Sequence, residues 1–164
     1  MEELIMAIKL PENVVEVIND KNAKKVLATV SEKGIPNVAF KGSIHVNEEG
    51  NIIVNELLET SQTNKNLTYS LWFDKEVAIS VWNDNGVYEV FGIPYRVLVS
   101  GPEYEKAYIA SEERNPIFDL AGVWTIIPTR YRSQIISDRI AKQKELHPII
   151  GHLDKDRNPD YRPQ

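Results

Sequence analysis

The segment Thr60-Ser-Gln-Thr-Asn-Lys-Asn66 holds three hydroxyls, three amides and one lysine just before Leu67 and Leu71, an i, i+4 apolar pair. Hydroxyl and amide side chains at a helix start cap its orphan N–H groups. The same N–H groups, the positive end of the helix dipole and a lysine also make a phosphate seat. Both readings stand at this point: a capped helix, or an anion site at its first turn. Ser43 and His45 share one face of a strand but lie about 7 Å apart by strand rise, too far for a nucleophile–base hydrogen bond. No G-x-S-x-G sequence exists, so His45 reads as an exposed strand histidine. His147 and His152 are five apart, off the helical ligand spacing, and with Asp154 and Asp156 read as part of a solvated tail. Glu48-Glu49 falls in a turn and Glu112-Glu113 on a charged helix face, so neither pair reads as a general acid and base. No metal site is expected.

Composition narrows the chemistry further. The chain has 164 residues, 19 basic and 24 acidic, for a net charge of −5. That length supports one domain with a real core. An acidic balance argues against nucleic acid as a partner. Cysteine is absent, which excludes disulfides, thiolate zinc sites, iron–sulfur clusters and a Cys nucleophile. No apolar run approaches the ~18 residues of a membrane span. The first residues carry Glu2-Glu3 where a signal peptide needs Lys or Arg, so the expected location is cytoplasmic.

The elements that must position these residues are legible from period and punctuation. Pro11 to Asn22 predicts a helix with Val14, Val15, Val17 and Ile18 on its apolar face. From Lys25 the period falls to two. Lys25–Ser31 reads as a buried strand, and Glu32-Lys-Gly-Ile-Pro36 as a turn. Asn37–Val46 reads as a second strand, with Val38, Phe40, Ile44 and Val46 on one face and Asn37, Ala39, Lys41, Ser43 and His45 on the other. Asn51–Leu57 is a third. A helix is expected from Leu67 to Asp74, behind its polar start. Glu76–Trp82 is the fourth strand, Asn83-Asp-Asn-Gly86 a hairpin turn, and Val87–Ser100 a long fifth strand with a bulge or edge expected at Gly92 and Pro94. A helix over Glu103–Arg114 and a sixth strand over Val123–Pro128 follow. Thr129–Ile150 has helical stretches, and residues 152–164 read as a polar tail. Six short strands interrupted by a helix argue for a small barrel, and the lack of a Gly-rich turn after any strand excludes a G-x-G-x-x-G dinucleotide fold. Phe40, Trp82, Tyr88, Phe91, Tyr95, Phe118 and Trp124 fall on or beside strands, most as core, with room for one or two to stack on a flat ligand or fill an interface.

In this order and spacing the segments resemble the FMN-binding split-barrel proteins, the pyridoxamine 5′-phosphate oxidase-like superfamily. Val26-Leu-Ala-Thr-Val-Ser-Glu-Lys-Gly-Ile-Pro-Asn37 is similar to the family's opening hairpin, and Gly50-Asn-Ile-Ile-Val54 to its third strand. Ser61-Gln-Thr-Asn-Lys-Asn-Leu67 stands where the family usually has Ser-Arg-Lys-x-Arg-Asn-Leu. Glu76–Val81 resembles the strand after the helix. Val90-Phe-Gly92, Gly101-Pro-Glu-Tyr-Glu105 and Val123-Trp-Thr-Ile-Ile-Pro-Thr-Arg130 resemble the later strands and the helix between them.

The resemblance implies a mainly β chain with flanking helices, a six-stranded antiparallel split β-barrel. Residues 1–24 would be a helical segment, 25–132 the flavin-binding barrel, and 133–164 a C-terminal extension within one domain. It implies a homodimer with FMN at the subunit interface. The ring would lie against Ala39, Phe40, Lys41 and Gly42, with Val54, Asn55 and Glu56 from the third strand. The phosphate would meet Ser61, Gln62, Thr63 and Lys65, and Phe118 and Trp124 would approach the flavin. Other branches of the superfamily bind riboflavin, a deazaflavin or haem.

One departure bears on the cofactor: Gln62-Thr63 replaces the family's Arg-Lys pair. Charge-assisted hydrogen bonds are worth about 1.5–3 kcal/mol each, so weaker FMN binding is expected. The basic, Arg-rich end of the oxidase itself has no match in Asp154–Gln164, which leaves the substrate open. The implied function is an FMN-dependent oxidoreductase. The alternatives are a non-catalytic flavin carrier or sensor, and a cofactor-free dimeric barrel.

Overall fold

The computed structural model describes residues 6–117 and 119–147. The chain divides into two compact units, Met1–Ser133 and Gln134–Gln164. The first holds a seven-stranded, wholly antiparallel sheet. Its strands are β1 Lys24–Val30, β2 Pro36–Phe40, β3 His45–Val46, β4 Ile52–Glu56, β5 Val77–Asn83, β6 Gly86–Leu98 and β7 Gly122–Ser133, in the spatial order β2-β1-β5-β6-β7-β4-β3. Three helices accompany them: α1 Glu12–Asn19, α2 Gln62–Trp72 and α3 Pro102–Arg114. The second unit contributes α4, Ile136–Leu146, on which Ile136 and Ile140 stand one turn apart and exposed.

Alternation builds the barrel core. Leu27, Val54, Ile79, Val90 and Ile126 come from five different strands and are all fully buried, with Trp124 beside them. α1 adds Val14, Val17 and Ile18 against β3, β5 and β6. α2 adds Leu67 together with Thr63, Asn66 and Ser70, and lies on β1, β2 and β6. The turn from β1 to β2 closes on Gly34, whose φ of +77° favours glycine, with Gly34 N–H donating to Ser31 O. The Asn83–Gly86 hairpin forms as expected, with those two residues paired. The long strand β6 is bulged at Phe91/Gly92 and again at Pro94/Arg96, where glycine and proline predicted it.

Four boundaries differ from the sequence reading. The expected second strand is two strands, so there are seven rather than six: a turn at Lys41–Ile44, with Ile44 N–H donating to Lys41 O, separates β2 from β3. That turn reorients the chain. Ile44 and Val46 enter the core while Val38 and Phe40, expected on the same face, stand 66% and 80% exposed. α2 begins at Gln62 rather than Leu67, because the polar segment supplies both the cap and the first turn. β7 runs on through Ser133, paired with β6 across Arg130–Ser133, where helix was expected. α1 is shorter than predicted: Pro11 is its cap and Asn19 its last residue. The polar tail, His152 and the proposed Phe118 contact lie outside the described residues.

Candidate functional site

β2 and β3 lie at opposite edges of the sheet, yet only the turn Lys41–Ile44 separates them in sequence. The edges therefore meet, and side chains rather than a strand ladder join them. Lys41 Nζ sits 2.6 Å from Glu56 Oε2 on β4, and Glu56 is 2% exposed against 15% for Lys41. Lys41 N–H donates to Lys25 O, and Lys25 Nζ reaches across to donate to Ile44 O at 2.9 Å. Ser43 Oγ accepts from Asn55 N–H at 3.0 Å and donates to Asn55 O at 3.3 Å, so one hydroxyl replaces a strand partner. Burial pushes the Lys25 ammonium below its usual pKa, with Arg114 adding to the shift and Asp20 opposing it. Asn55 Oδ1 is buried beside this seam with no hydrogen-bond donor.

The first turn of α2 forms a second polar cluster. Ser61 caps the helix by accepting from Asn64 N–H at 3.0 Å. Asn37 Nδ2 on β2 donates to Thr63 Oγ1 at 3.2 Å. Gln62 Nε2 donates to Asn66 Oδ1 at 2.7 Å, and Asn66 Nδ2 donates to Thr29 Oγ1 on β1 at 3.0 Å. Trp124 Nε1 donates to Asn64 Oδ1 at 3.0 Å, while Asn64 Nδ2 donates to Glu59 O. These bonds lock α2 to β1, β2 and β7.

The sequence-predicted residues thus fall into three places. Lys41, Asn55 and Glu56 meet at the seam, and Gly42 beside them faces open space where a Cβ would stand. Ser61, Gln62, Thr63 and Trp124 meet at the α2 turn, with Lys65 exposed on its outer side. Ala39 points inward, paired with Leu27, and Val54 is core, paired with Trp124. Phe40 points away from all of them, out of the barrel. Asn64 and Asn66 belong to the Thr60–Asn66 segment read as a cap or an anion seat, whereas Thr29 and Asn37 enter the cluster from outside it. The signal of these two is a hydroxyl or amide on the inward alternation of a strand.

The outer face of the sheet carries its own pattern. Val38 on β2 lies across from Ala28, Ala28 from Ala78, and Ala78 from Phe91; Phe40 lies across from Val26 and Val26 from Ser80. This row ends where the Arg130 guanidinium lies 3.5 Å over the Phe91 ring, held by Glu76 at 2.9 Å. The same guanidinium holds the Glu76 carboxyl below its ordinary pKa. Arg132 stands beside it, paired with Glu89 at 2.5 Å. A separate shallow cleft of 460 Å³ lies along Val99–Pro102, Tyr104, Glu105 and Tyr108, and none of the predicted site residues lines it. Among the described residues, no three acidic or histidine side chains gather as metal ligands would.

The donor set can be tested against the flavin that the sequence resemblance implies. For the ring half, Val38 and Phe40 offer an exposed apolar face on β2, and the fixed polar seam begins where that strand ends. The phosphate half has fewer side-chain donors than the family pattern. The Ser61, Gln62 and Thr63 side chains are bonded within the protein, which leaves the first-turn N–H groups of Gln62 and Thr63 and the exposed Lys65 to meet an anion.

No protein-family model and no curated protein sequence matches the chain. Solved structures do. An FMN-binding protein from Syntrophomonas wolfei superposes with a TM-score of 0.63 at 16% identity, over 75% of this chain and 84% of that one. HupZ of Group A Streptococcus superposes with a TM-score of 0.62 at 23% identity, over 76% and 94%. A pyridoxamine 5′-phosphate oxidase-like protein from Lactobacillus delbrueckii gives 0.59 at 20% identity, over 76% and 94%. An F420 reductase and HutZ, the haem storage protein of Vibrio cholerae, share the architecture. The fold is the split barrel of FMN-binding and pyridoxamine 5′-phosphate oxidase-like proteins, and at these identities the likeness is one of fold.

Proposed function

We propose that the chain is a flavin-binding oxidoreductase that works as a homodimer, with FMN the first candidate cofactor and the ring held at the subunit interface. The observation that carries this reading is the end of β2. The strand turns Val38 and Phe40 out of the barrel and then stops at the Lys41–Glu56 and Ser43–Asn55 seam. An apolar surface beside fixed polar groups is what a flat conjugated ring requires. A second copy would cover the same surface, since a two-fold axis sets one β2 face near another. FMN-binding, F420 and haem proteins among the solved neighbours support a flavin or related cofactor on this fold.

A bound flavin supplies the hydride and electron chemistry. The protein's part is to orient and exclude water. Lys41 and Glu56 hold the strand end rigid, Phe40 would offer apolar surface to the ring, and Trp124 fixes the first turn of α2 through Asn64. No side chain in this arrangement has to deliver a proton, which agrees with His45 lying exposed and tied to Ser43 O.

The test is an absorption spectrum of purified protein, taken after incubation with excess FMN and desalting. Retained flavin bands at about one equivalent per subunit are expected, with bleaching by NADH or NADPH under anaerobic conditions. Retained flavin that no nicotinamide reduces would make the chain a carrier or sensor. A colourless protein would end the flavin reading and turn attention to haem.

A further inference from the structure

We propose that α3 is a lid on the polar seam, latched by the Tyr104 hydroxyl on Leu120 O and able to open while the barrel stays folded. The inference adds an access route to the site described above. It rests on that reading only in taking the seam as the place where a ligand is held.

α3 is a regular helix with little packed against it. None of its thirteen residues is buried, whereas α1 buries three of eight and α2 four of eleven. Its inner face is Tyr104, Ala107, Tyr108 and Ser111, an i, i+3, i+4, i+7 stripe, and each of the four is only half-buried. The 460 Å³ cleft opens along its first two turns, where a tightly docked helix would have core. The Arg96–Glu103 contact at its start is 3.4 Å long between exposed side chains and holds little. Helices in proteins owe most of their stability to packing of an apolar face. An element with few buried apolar contacts therefore opens at a lower free energy than the sheet beside it. The chain enters α3 through Gly101, whose φ of +94° a residue with a side chain would resist.

The Tyr104 bond is the strong point of this attachment, and it leads to the seam. Tyr104 Oη donates to Leu120 O at 2.6 Å. Leu120 is 3% exposed, and the next residue, Ala121, donates its N–H to Glu56 O at 2.8 Å. Glu56 is the carboxylate that holds Lys41. At the other end of the helix, the Arg114 charge adds to the effect of burial in lowering the Lys25 pKa, so the last turn lies near the seam's buried lysine. Both ends of α3 thus bear on the seam. Release of Tyr104 loosens Leu120 and Ala121 and opens the Glu56 end of β4 to solvent.

The experiment follows hydrogen exchange amide by amide, by NMR, in the full-length protein and in Tyr104→Phe. The hydrogen-bonded amides of α3, together with that of Ala121, should exchange at least about 100-fold faster than those of β1 and β5. Tyr104→Phe keeps the ring and removes one hydrogen bond, so it should speed α3 exchange by about three- to tenfold and leave β1 and β5 unchanged. Saturating FMN should slow α3 exchange in both proteins. Three results would each overturn the lid: α3 amides as slow as those of β1 and β5, no response to Tyr104→Phe, or an Ala121 amide that stays protected while α3 exchanges. FMN retained after desalting with α3 exchange unchanged would also overturn it and leave the flavin reading standing. A protein that holds no FMN, with α3 and Ala121 exchanging as expected, would remove the flavin reading and uphold the lid.

Discussion

At the scale of single residues, Lys41 and Lys25 do different work, and each makes a prediction. Lys41 neutralises Glu56, which is 2% exposed and cannot reach water on its own. Removing one partner of a buried pair strands the other charge and costs about 3–5 kcal/mol. Lys41 retains some exposure, so Lys41→Met should fall near the low end, about 3 kcal/mol in urea denaturation. Lys41→Met with Glu56→Met should recover most of that loss, and a double variant no better than the single would show that the pair is not an isolated unit. Lys25 has no carboxylate in hydrogen-bond contact; its ammonium donates to Ile44 O, and burial lowers its pKa from 10.5. The sign follows from proton counting. Between the depressed folded value and 10.5 the unfolded chain holds the extra proton, so stability from this group rises with pH across that window. Wild type should therefore gain on Lys25→Met between about pH 7 and about pH 10 in paired denaturation curves. Parallel curves would mean that the amine is as well solvated folded as unfolded.

At the scale of elements, close approach decides what strands tolerate. Gly92 sits at the first β6 bulge, and a Cβ there would stand 2.6 Å from Ile126 Cγ2 and 2.7 Å from Ile127 O. The backbone oxygen cannot swing aside as a side chain could. Gly92→Ala should cost about 1–3 kcal/mol by overpacking, read as a drop in Tm, and an unchanged Tm would mean that β6 and β7 slide freely at the bulge. That bulge was legible, because a glycine and a proline inside an apolar strand have few other uses. The hairpin at Asn83–Gly86 was legible for the same reason. The break after Phe40 was not. Val38, Phe40, Ile44 and Val46 are all even-numbered, so the alternation looks continuous across a turn that in fact exchanges core for surface. The start of α2 was misplaced because its apolar pair begins at Leu67, while its first turn is held by polar bonds to other strands. Those bonds span 26 residues from Asn37 to Thr63 and 37 from Thr29 to Asn66. A local reading sees hydroxyls suited to a ligand. Only the folded chain shows that they are already engaged.

At the scale of the whole molecule, the exposed β2 face ties assembly to ligand binding. Val38 and Phe40 continue an apolar row through Ala28, Val26 and Ala78 to Phe91, where the arginine over the ring and its glutamate make a charged border. A core of apolar and aromatic side chains inside a charged rim is the anatomy of a protein interface. A stable one needs about 800 Å² from each partner, more than two side chains supply, so the row as a whole must be covered. The wild-type chain should therefore run at twice its 18.7 kDa in size exclusion with light scattering. Val38→Glu with Phe40→Glu places two charges at positions already in water, so the monomer keeps its fold by circular dichroism. Two central anchors of an interface carry about 2 kcal/mol or more each, so dimer dissociation should rise by about 100- to 1,000-fold. If the ring lies where the two subunits meet, flavin retention falls in step with the dimer. A variant that becomes monomeric and still holds flavin would place the ring wholly within one barrel, and a wild type that is monomeric at tens of micromolar would remove the second copy from the site altogether.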